Sequence, residues 1–128
     1  MTPLIAGNWK MHGTLREAAA LAEGVRAGVA GAELLVCPPA LHVFTVASQL
    51  LGSAVAVGGQ DCSAELPGAH TGDLSASMLH DAGARYVILG HSERRQAQPD
   101  GHGETDVHVR AKVKERTGAN LERELHVW

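Results

Sequence analysis

The chain has 128 residues, 45% of them apolar, and a formal net charge of −3, so it is long enough for one ordinary domain with a core and too short for two. This composition argues against wholesale disorder, and without a long run of either charge sign nothing points to a nucleic-acid or membrane-surface partner. No stretch is apolar for long enough to span a bilayer, and residues 1–5 lack the basic start and apolar core of a signal peptide. We therefore expect a globular cytoplasmic domain that binds neither nucleic acid nor a membrane.

An apolar run and a helix-capping pattern mark the first strand and the first helix. Residues 4–7 are a short apolar run, followed by Asn8 and Lys10. Thr14 and Glu17 form a capping box, in which the Thr14 hydroxyl can accept the amide of Glu17 while the Glu17 side chain reaches back. Behind the box, apolar residues recur at helical spacing until Gly31: Leu15, Ala18, Ala19, Ala22, Val25 and Val29.

The same strand-then-helix cycle recurs three more times. The pattern predicts the later strands at residues 34–37, 54–57 and 86–89. It predicts the later helices at residues 41–51, 75–81 and about 106–115. The second strand is closed by Pro38 and Pro39, because proline can neither continue a ladder nor sit inside a helix.

Four such units with continuously apolar strands predict an α/β fold, a parallel sheet covered on its outer face by helices. Polar residues cluster just after the strands: Asn8, Lys10, Gln60, Asp61, His91 and Glu93. The ends of parallel strands share one rim, which is where α/β folds bind ligands, so position alone nominates these residues. An open flavodoxin-like sheet stays possible from periodicity, but it does not explain which residues lie on the rim.

Six segments carry a family resemblance, in order and with roughly the family's spacing, between residues 4 and about 114. They are Gly-Asn-Trp-Lys-Met at 7–11, Cys-Pro-Pro at 37–39, Gly-Gln-Asp at 59–61, Gly-Ala-His-Thr-Gly at 68–72, Leu-Gly-His-Ser-Glu-Arg-Arg at 89–95 and Gly-Glu-Thr-Asp at 103–106. With these segments the chain resembles the amino-terminal half of triosephosphate isomerases. The Asn-Trp-Lys and Gly-His-Ser-Glu-Arg-Arg segments together are the most specific part of the match.

The resemblance implies a TIM (β/α)₈ barrel fold, here about four βα units or half a barrel over residues 1–114. It implies a glycolytic and gluconeogenic isomerase that interconverts glyceraldehyde 3-phosphate and dihydroxyacetone phosphate through an enediolate, without metal or organic cofactor. Lys10 would place a positive charge beside the substrate oxygens, and Asn8 would orient Lys10 and contact substrate. His91 would be a neutral electrophile, an established pattern of this family, and Glu93 would pair with Lys10.

The resemblance also implies a homodimer. Thr71 would lie at the tip of a loop that reaches into a neighbouring subunit and steadies its Asn8 and Lys10. From the residues alone, the stretch 67–72 indicates an ordinary mobile loop.

The match departs from the family in three places. A full barrel takes roughly 250 residues, and nothing in the 128 residues corresponds to the family's general-base glutamate, lid or phosphate cradle. Residues 96–101, just before the segment that contains Glu104, look a few residues longer than the family's loop. Residues 115–128 contain no apolar strand run and predict a weak helix or a disordered tail. The alternative function is therefore a non-catalytic half-barrel fragment, at most a weak phosphate-binding module.

The remaining reactive residues carry no strong signal of their own. Cys37 and Cys62 leave a disulfide open, but two buried free thiols in a reducing cytosol are favoured. No metal site is expected, because no two histidines lie at i, i+4 on a firm helix beside a third ligand. Arg94 and Arg95 indicate a salt-bridge anchor on the rim rather than a nucleic-acid contact.

Overall fold

The structure, a computed structural model, describes residues 2–97 and the strand residues 126–127. Its strands are β1 (Leu4–Asn8), β2 (Glu33–Cys37), β3 (Ala56–Gly59), β4 (Tyr86–Val87) and β5 (His126–Val127). Its α-helices are α1 (Leu15–Val25), α2 (Val43–Gln49), α3 (Ala76–Asp81) and α4 (Ser92–Ala97). The described strands form one sheet in the order β4-β3-β2-β1-β5, and every pair is parallel. The predicted parallel α/β sheet is confirmed.

Helix α1 begins at the predicted capping box. The Thr14 hydroxyl accepts the Glu17 amide at 3.3 Å, and the Thr14 amide donates to Glu17 Oε2 at 2.7 Å. Hydrogen bonds from Thr14 hold the pKa of the Glu17 carboxyl below its ordinary value. The bond from the Thr14 backbone amide is the largest cause, and the bond from its hydroxyl is the second. The cap directs the chain from β1 into a helix whose buried residues, Ala18 and Ala22, face the sheet.

Alternation along the strands divides the core into two layers. Val36, Val57 and Val87 belong to the larger cluster, which the helices cover. Their neighbours in sequence point to the opposite face, because successive strand residues alternate. That second cluster consists of Ala6, Leu35, Cys37 and Ile88. The sheet therefore has one face under helices and a second apolar face opposite them.

Strand β3 lies two residues further along the chain than predicted, because it includes Gly58 and Gly59. A Cβ at Gly58 would lie 2.9 Å from Cys37 Sγ and 3.0 Å from the Tyr86 carbonyl oxygen. A Cβ at Gly59 would lie 2.9 Å from Leu79 Cδ1. In the sequence these two glycines indicate a loop. In the structure they belong to β3, and their lack of a side chain lets β3 approach β2, β4 and α3 closely.

Other elements also differ from the prediction. The predicted helix over 41–51 is a 3₁₀ turn at Ala40–His42 followed by α2, and the predicted strand over 86–89 is the two-residue β4. The sequence did not predict α4. The predicted helix at about 106–115 lies outside the described residues.

The predicted tail contains a short strand. Strand β5 pairs with β1 in parallel, with Ile5 opposite His126 and Ala6 opposite Val127. The prediction of a tail without a strand is therefore wrong at these two residues, and residues 115–125 lie outside the described part. The domain boundary at residue 114 stays a prediction. Among the described helices, none has the length and apolarity needed to cross a membrane.

Candidate active site

Lys10 follows the end of β1 in an unusual backbone conformation. Its φ is +51°, the only positive φ of a non-glycine residue in the described part of the chain. Its amide donates to Asn8 Oδ1 at 2.9 Å, and its carbonyl oxygen accepts from Gln60 Nε2 at 2.8 Å. Side chains from the ends of two strands thus hold both backbone polar groups of Lys10.

The Lys10 ammonium is aimed at Glu93, in the first turn of α4. Lys10 Nζ donates to Glu93 Oε1 at 2.8 Å. This hydrogen bond is the main cause that lowers the pKa of the Glu93 carboxyl below its ordinary value. The side chains are 48% and 56% exposed, so the pair contributes little to stability. Its consequence is the direction in which the ammonium points.

His91 directly precedes α4. Its ring is largely shielded from solvent, since only 17% of the side chain is exposed. The amide of Glu93 donates to His91 Nδ1 at 3.2 Å. A nitrogen that accepts this bond carries no proton, so the ring is the neutral tautomer with its proton on Nε2. The Glu93 carboxylate lies 3.6 Å from the same Nδ1, an ion pair only if the ring were charged.

An ion pair fastens α4 to the end of β3. Arg94 Nη2 lies 2.7 Å from Asp61 Oδ2. The amides of Arg94 and Arg95 both donate to the His91 carbonyl oxygen, at 2.9 and 3.1 Å. The predicted role of Arg94 as a salt-bridge anchor is confirmed, and it fixes the start of the helix that carries Glu93.

The structure brings together most of the residues predicted from strand ends. Lys10, Glu93 and His91 are linked directly, and Asn8 and Gln60 are linked to Lys10. Thr71 lies apart, exposed in a loop shaped by backbone bonds from His70 to Gly68 and from Asp73 to His70. A cavity of about 190 Å³ borders the cluster, lined by Lys10, Met11, Pro39, Ala40, Gln60, Asp61, Leu74 and Leu79.

The two cysteines are free thiols, as favoured from the sequence. Cys37 is buried, and burial raises the pKa of its thiol to about 12. Cys62 is only partly buried, which corrects the expectation that both would be buried. Within residues 2–97, no three His, Cys, Asp or Glu side chains group as metal ligands. The spacing of His102 and His108, six positions apart with Glu104 and Asp106 between them, does not predict a metal site, and these residues lie outside the described part of the chain.

Comparison with known proteins decides the family. A family model described as "Triosephosphate isomerase" matches residues 3–124, ten residues beyond the end of the resemblance seen in the sequence. The chain belongs to the triosephosphate isomerase family. It is 55% identical over 122 residues to the triosephosphate isomerase of Afipia carboxidovorans, covering 93% of this chain and 47% of that protein. It is 51% identical over 121 residues to that of Acidiphilium cryptum, covering 94% and 46%.

Solved structures agree on the TIM barrel family. The crystal structure of triosephosphate isomerase from Bartonella henselae matches with a TM-score of 0.68 and 43% identity, over 79% of this chain and 43% of that one. The parallel sheet with its helices is therefore a part of this barrel fold. The chain spans about half the length of the curated triosephosphate isomerases it matches.

Proposed function

We propose that the rim around Lys10 and His91 serves aldose–ketose isomerisation of a triose phosphate, interconverting glyceraldehyde 3-phosphate and dihydroxyacetone phosphate in cytoplasmic glycolysis and gluconeogenesis. One observation carries this proposal: His91 accepts the Glu93 amide on Nδ1 and so presents Nε2–H as a donor, beside an ammonium held by Glu93. The membership of the triosephosphate isomerase family supports it. No metal or organic cofactor enters the proposal.

The chemistry follows from what isomerisation requires. Removing a carbon-bound proton beside a carbonyl places negative charge on the carbonyl oxygen as the enediolate forms. A preorganised N–H donor and a fixed cation aimed at that oxygen stabilise the charge by several kcal/mol. His91 would be the donor and Lys10 the cation, while Asn8 and Glu93 hold Lys10 in direction. Glu93 is engaged by the ammonium, so it is poorly placed to be the base.

A general base must still take the proton, and we place it outside these 128 residues. The acids here are engaged, like Glu93 and Asp61, or have a sequence context unlike the family's base. Losing a general base removes about 10²–10⁴ in rate. The chain by itself would then be a non-catalytic half-barrel with at most weak affinity for a phosphate anion through Lys10. That second function is favoured by the half-exposed Lys10 ammonium beside an open cavity.

A coupled isomerase assay on the purified chain tests the division of roles. We expect no rate above that of the His91→Gln variant, because we place the general base outside both polypeptides. A rate that His91→Gln abolishes would show that these residues already include a base, which would overturn its placement elsewhere. In parallel, titration with inorganic phosphate followed by NMR should shift signals of Lys10, and Lys10→Met should remove that response.

We also propose a homodimer in which the loop tip at Thr71 enters the cavity beside Lys10 of a second copy. Thr71 is exposed, and the residues that line the cavity include the polar Lys10 and Gln60 as well as the apolar Leu74 and Leu79. A small side chain with one hydroxyl suits a pocket of about 190 Å³.

Analytical ultracentrifugation tests the loop contact. We expect Thr71→Arg to raise the dimer dissociation constant by at least about tenfold, because a long charged side chain cannot be buried there without cost. Thr2→Arg is the matched control, since Thr2 is also exposed and lies in another part of the chain. Equal dissociation constants for the parent and Thr71→Arg, or a parent that is a monomer, would contradict the proposal.

A further inference from the structure

The backbone at Lys10 needs an explanation of its own. A lysine at φ +51° lies in the left-handed region, where its Cβ crowds the backbone, and such a residue persists only when its surroundings over-determine it. Within the described part of the chain, two hydrogen bonds engage its backbone groups, one from its amide to Asn8 and one to its carbonyl oxygen from Gln60. Asn8 is the last residue of β1 and anchors the Lys10 amide to that strand, but its side chain does not engage the Lys10 carbonyl oxygen.

Gln60 engages the other backbone polar group of Lys10, its carbonyl oxygen, and links it to a second strand. Its side-chain nitrogen donates to the Lys10 carbonyl oxygen at 2.8 Å and to the Cys37 carbonyl oxygen at 2.8 Å. A carboxamide nitrogen has two protons, so both are used. The Cys37 carbonyl also accepts the Trp9 amide at 3.0 Å. One side chain just after β3 thus ties Lys10, two residues beyond the end of β1, to the last residue of β2.

We propose that Gln60 is the positioning residue for Lys10: by bridging the Lys10 and Cys37 carbonyl oxygens it holds the left-handed backbone that aims the ammonium at Glu93. A contribution of Gln60 to catalysis rests on the function proposed above. Its effect on the position of Lys10 can be measured without any enzymatic activity. A glutamate could not replace it, because a carboxylate has no proton to donate to two carbonyl oxygens. Among the described residues that follow the strands, no other side chain donates to both the Lys10 and the Cys37 carbonyl oxygens.

The Glu93 carboxyl is a reporter for the position of the Lys10 ammonium. The described groups that affect its pKa are Lys10 and His91, and the Lys10 hydrogen bond is the largest cause of the lowering. Arg94, its neighbour on α4, is engaged by Asp61. If the ammonium moves away, the pKa of Glu93 must rise, which NMR titration of its side-chain carboxyl carbon detects.

The experiment compares three variants of the full chain with the parent. Lys10→Met defines the full rise in the Glu93 pKa when the ammonium is absent. Gln60→Met removes both donors while keeping the length and shape of the side chain, and we expect most of that full rise. Gln49→Met is the matched control, because Gln49 Nε2 also donates to a backbone carbonyl oxygen, that of Ala19, at 2.8 Å but between α1 and α2.

The outcomes separate positioning from a merely structural role. Urea unfolding should show that Gln60→Met and Gln49→Met both lose stability, while only Gln60→Met moves the pKa of Glu93. A parent-like Glu93 pKa in folded Gln60→Met overturns the proposal. If Gln60→Met does not fold, Gln60→Asn decides in the same way, since its amide is one methylene too short to reach both carbonyls. The titration is valid whether or not the chain has isomerase activity, so failure of the proposed function is a separate result.

Discussion

Replacing His91 by glutamine is expected to lower kcat by about 10²–10³ once the site is completed by a general base, the loss typical of removing one preorganised donor to a developing oxyanion. The physical reason is the bond from the Glu93 amide to Nδ1, which leaves Nε2 as the ring nitrogen that can donate. A glutamine amide has donors too, but it lacks the ring nitrogen that accepts the Glu93 amide and orients the imidazole. We expect KM to change little, because the donor acts on charge that develops only in the transition state.

A chimera makes this measurable. Residues 3–124 would replace the aligned segment of the Afipia carboxidovorans triosephosphate isomerase, to which the chain is 55% identical. His80→Gln is the matched control, because His80 is exposed on α3 and has no part in the cluster. A chimera whose kcat is unchanged by His91→Gln would remove His91 from the chemistry, and an inactive chimera with parent-like folding would contradict the proposed function itself.

The outline of the site could be predicted because polar residues directly follow the apolar strands. Apolar runs located β1 and β4, and their polar successors, Lys10 and the segment with His91 and Glu93, had to share a rim. The ion pair between Lys10 and Glu93 then joins residues 83 positions apart in sequence. The bond from the Glu93 amide to His91 could not be predicted by periodicity, since it depends on the ring orientation.

Helix α4 was missed although its sequence carries a signal. Glu93 lies in its first turn and Arg94 and Arg95 in its last, the arrangement that the helix dipole favours. Six residues without an apolar stripe are too few for periodicity to detect. The glycines of β3 led to the opposite error, since they indicated a loop where the structure has a strand. A sequence does not show that Cys37 Sγ and the Tyr86 carbonyl leave no room for a Cβ at Gly58.

The bonds of Gln60 show where sequence reasoning reaches its limit. Strand-end position nominated Gln60 as a rim residue, but its two acceptors belong to β2 and to the segment after β1. Their alignment depends on register, and β3 starts two residues later than its apolar run suggested. Long-range polar contacts of this kind follow from the packed sheet rather than from any local pattern.

Alkaline destabilisation is expected to depend on a single buried thiol, Cys37. The side chain lies in the apolar layer with Ala6, Leu35 and Ile88, where a thiolate would be poorly solvated. Burial therefore raises the pKa of the thiol from its ordinary 9.0 to about 12. The folded protein keeps this proton at a pH where the unfolded chain has lost it. The stabilisation is complete below pH 9 and is lost as the pH rises towards 12.

The expected loss is large enough to measure by urea unfolding between pH 8 and pH 11. Linkage at about 1.4 kcal/mol per pH unit above pH 9 removes about 2–3 kcal/mol of the unfolding free energy by pH 11. Cys37→Ala should have a flatter profile by that amount, because tyrosine and lysine titration affect both proteins alike. Cys62→Ala is the control and should stay nearly as steep as the parent, since Cys62 is only partly buried. Parallel profiles for the parent and Cys37→Ala would mean that the folded protein deprotonates Cys37 as readily as the unfolded chain, and hence that this layer of the sheet admits water.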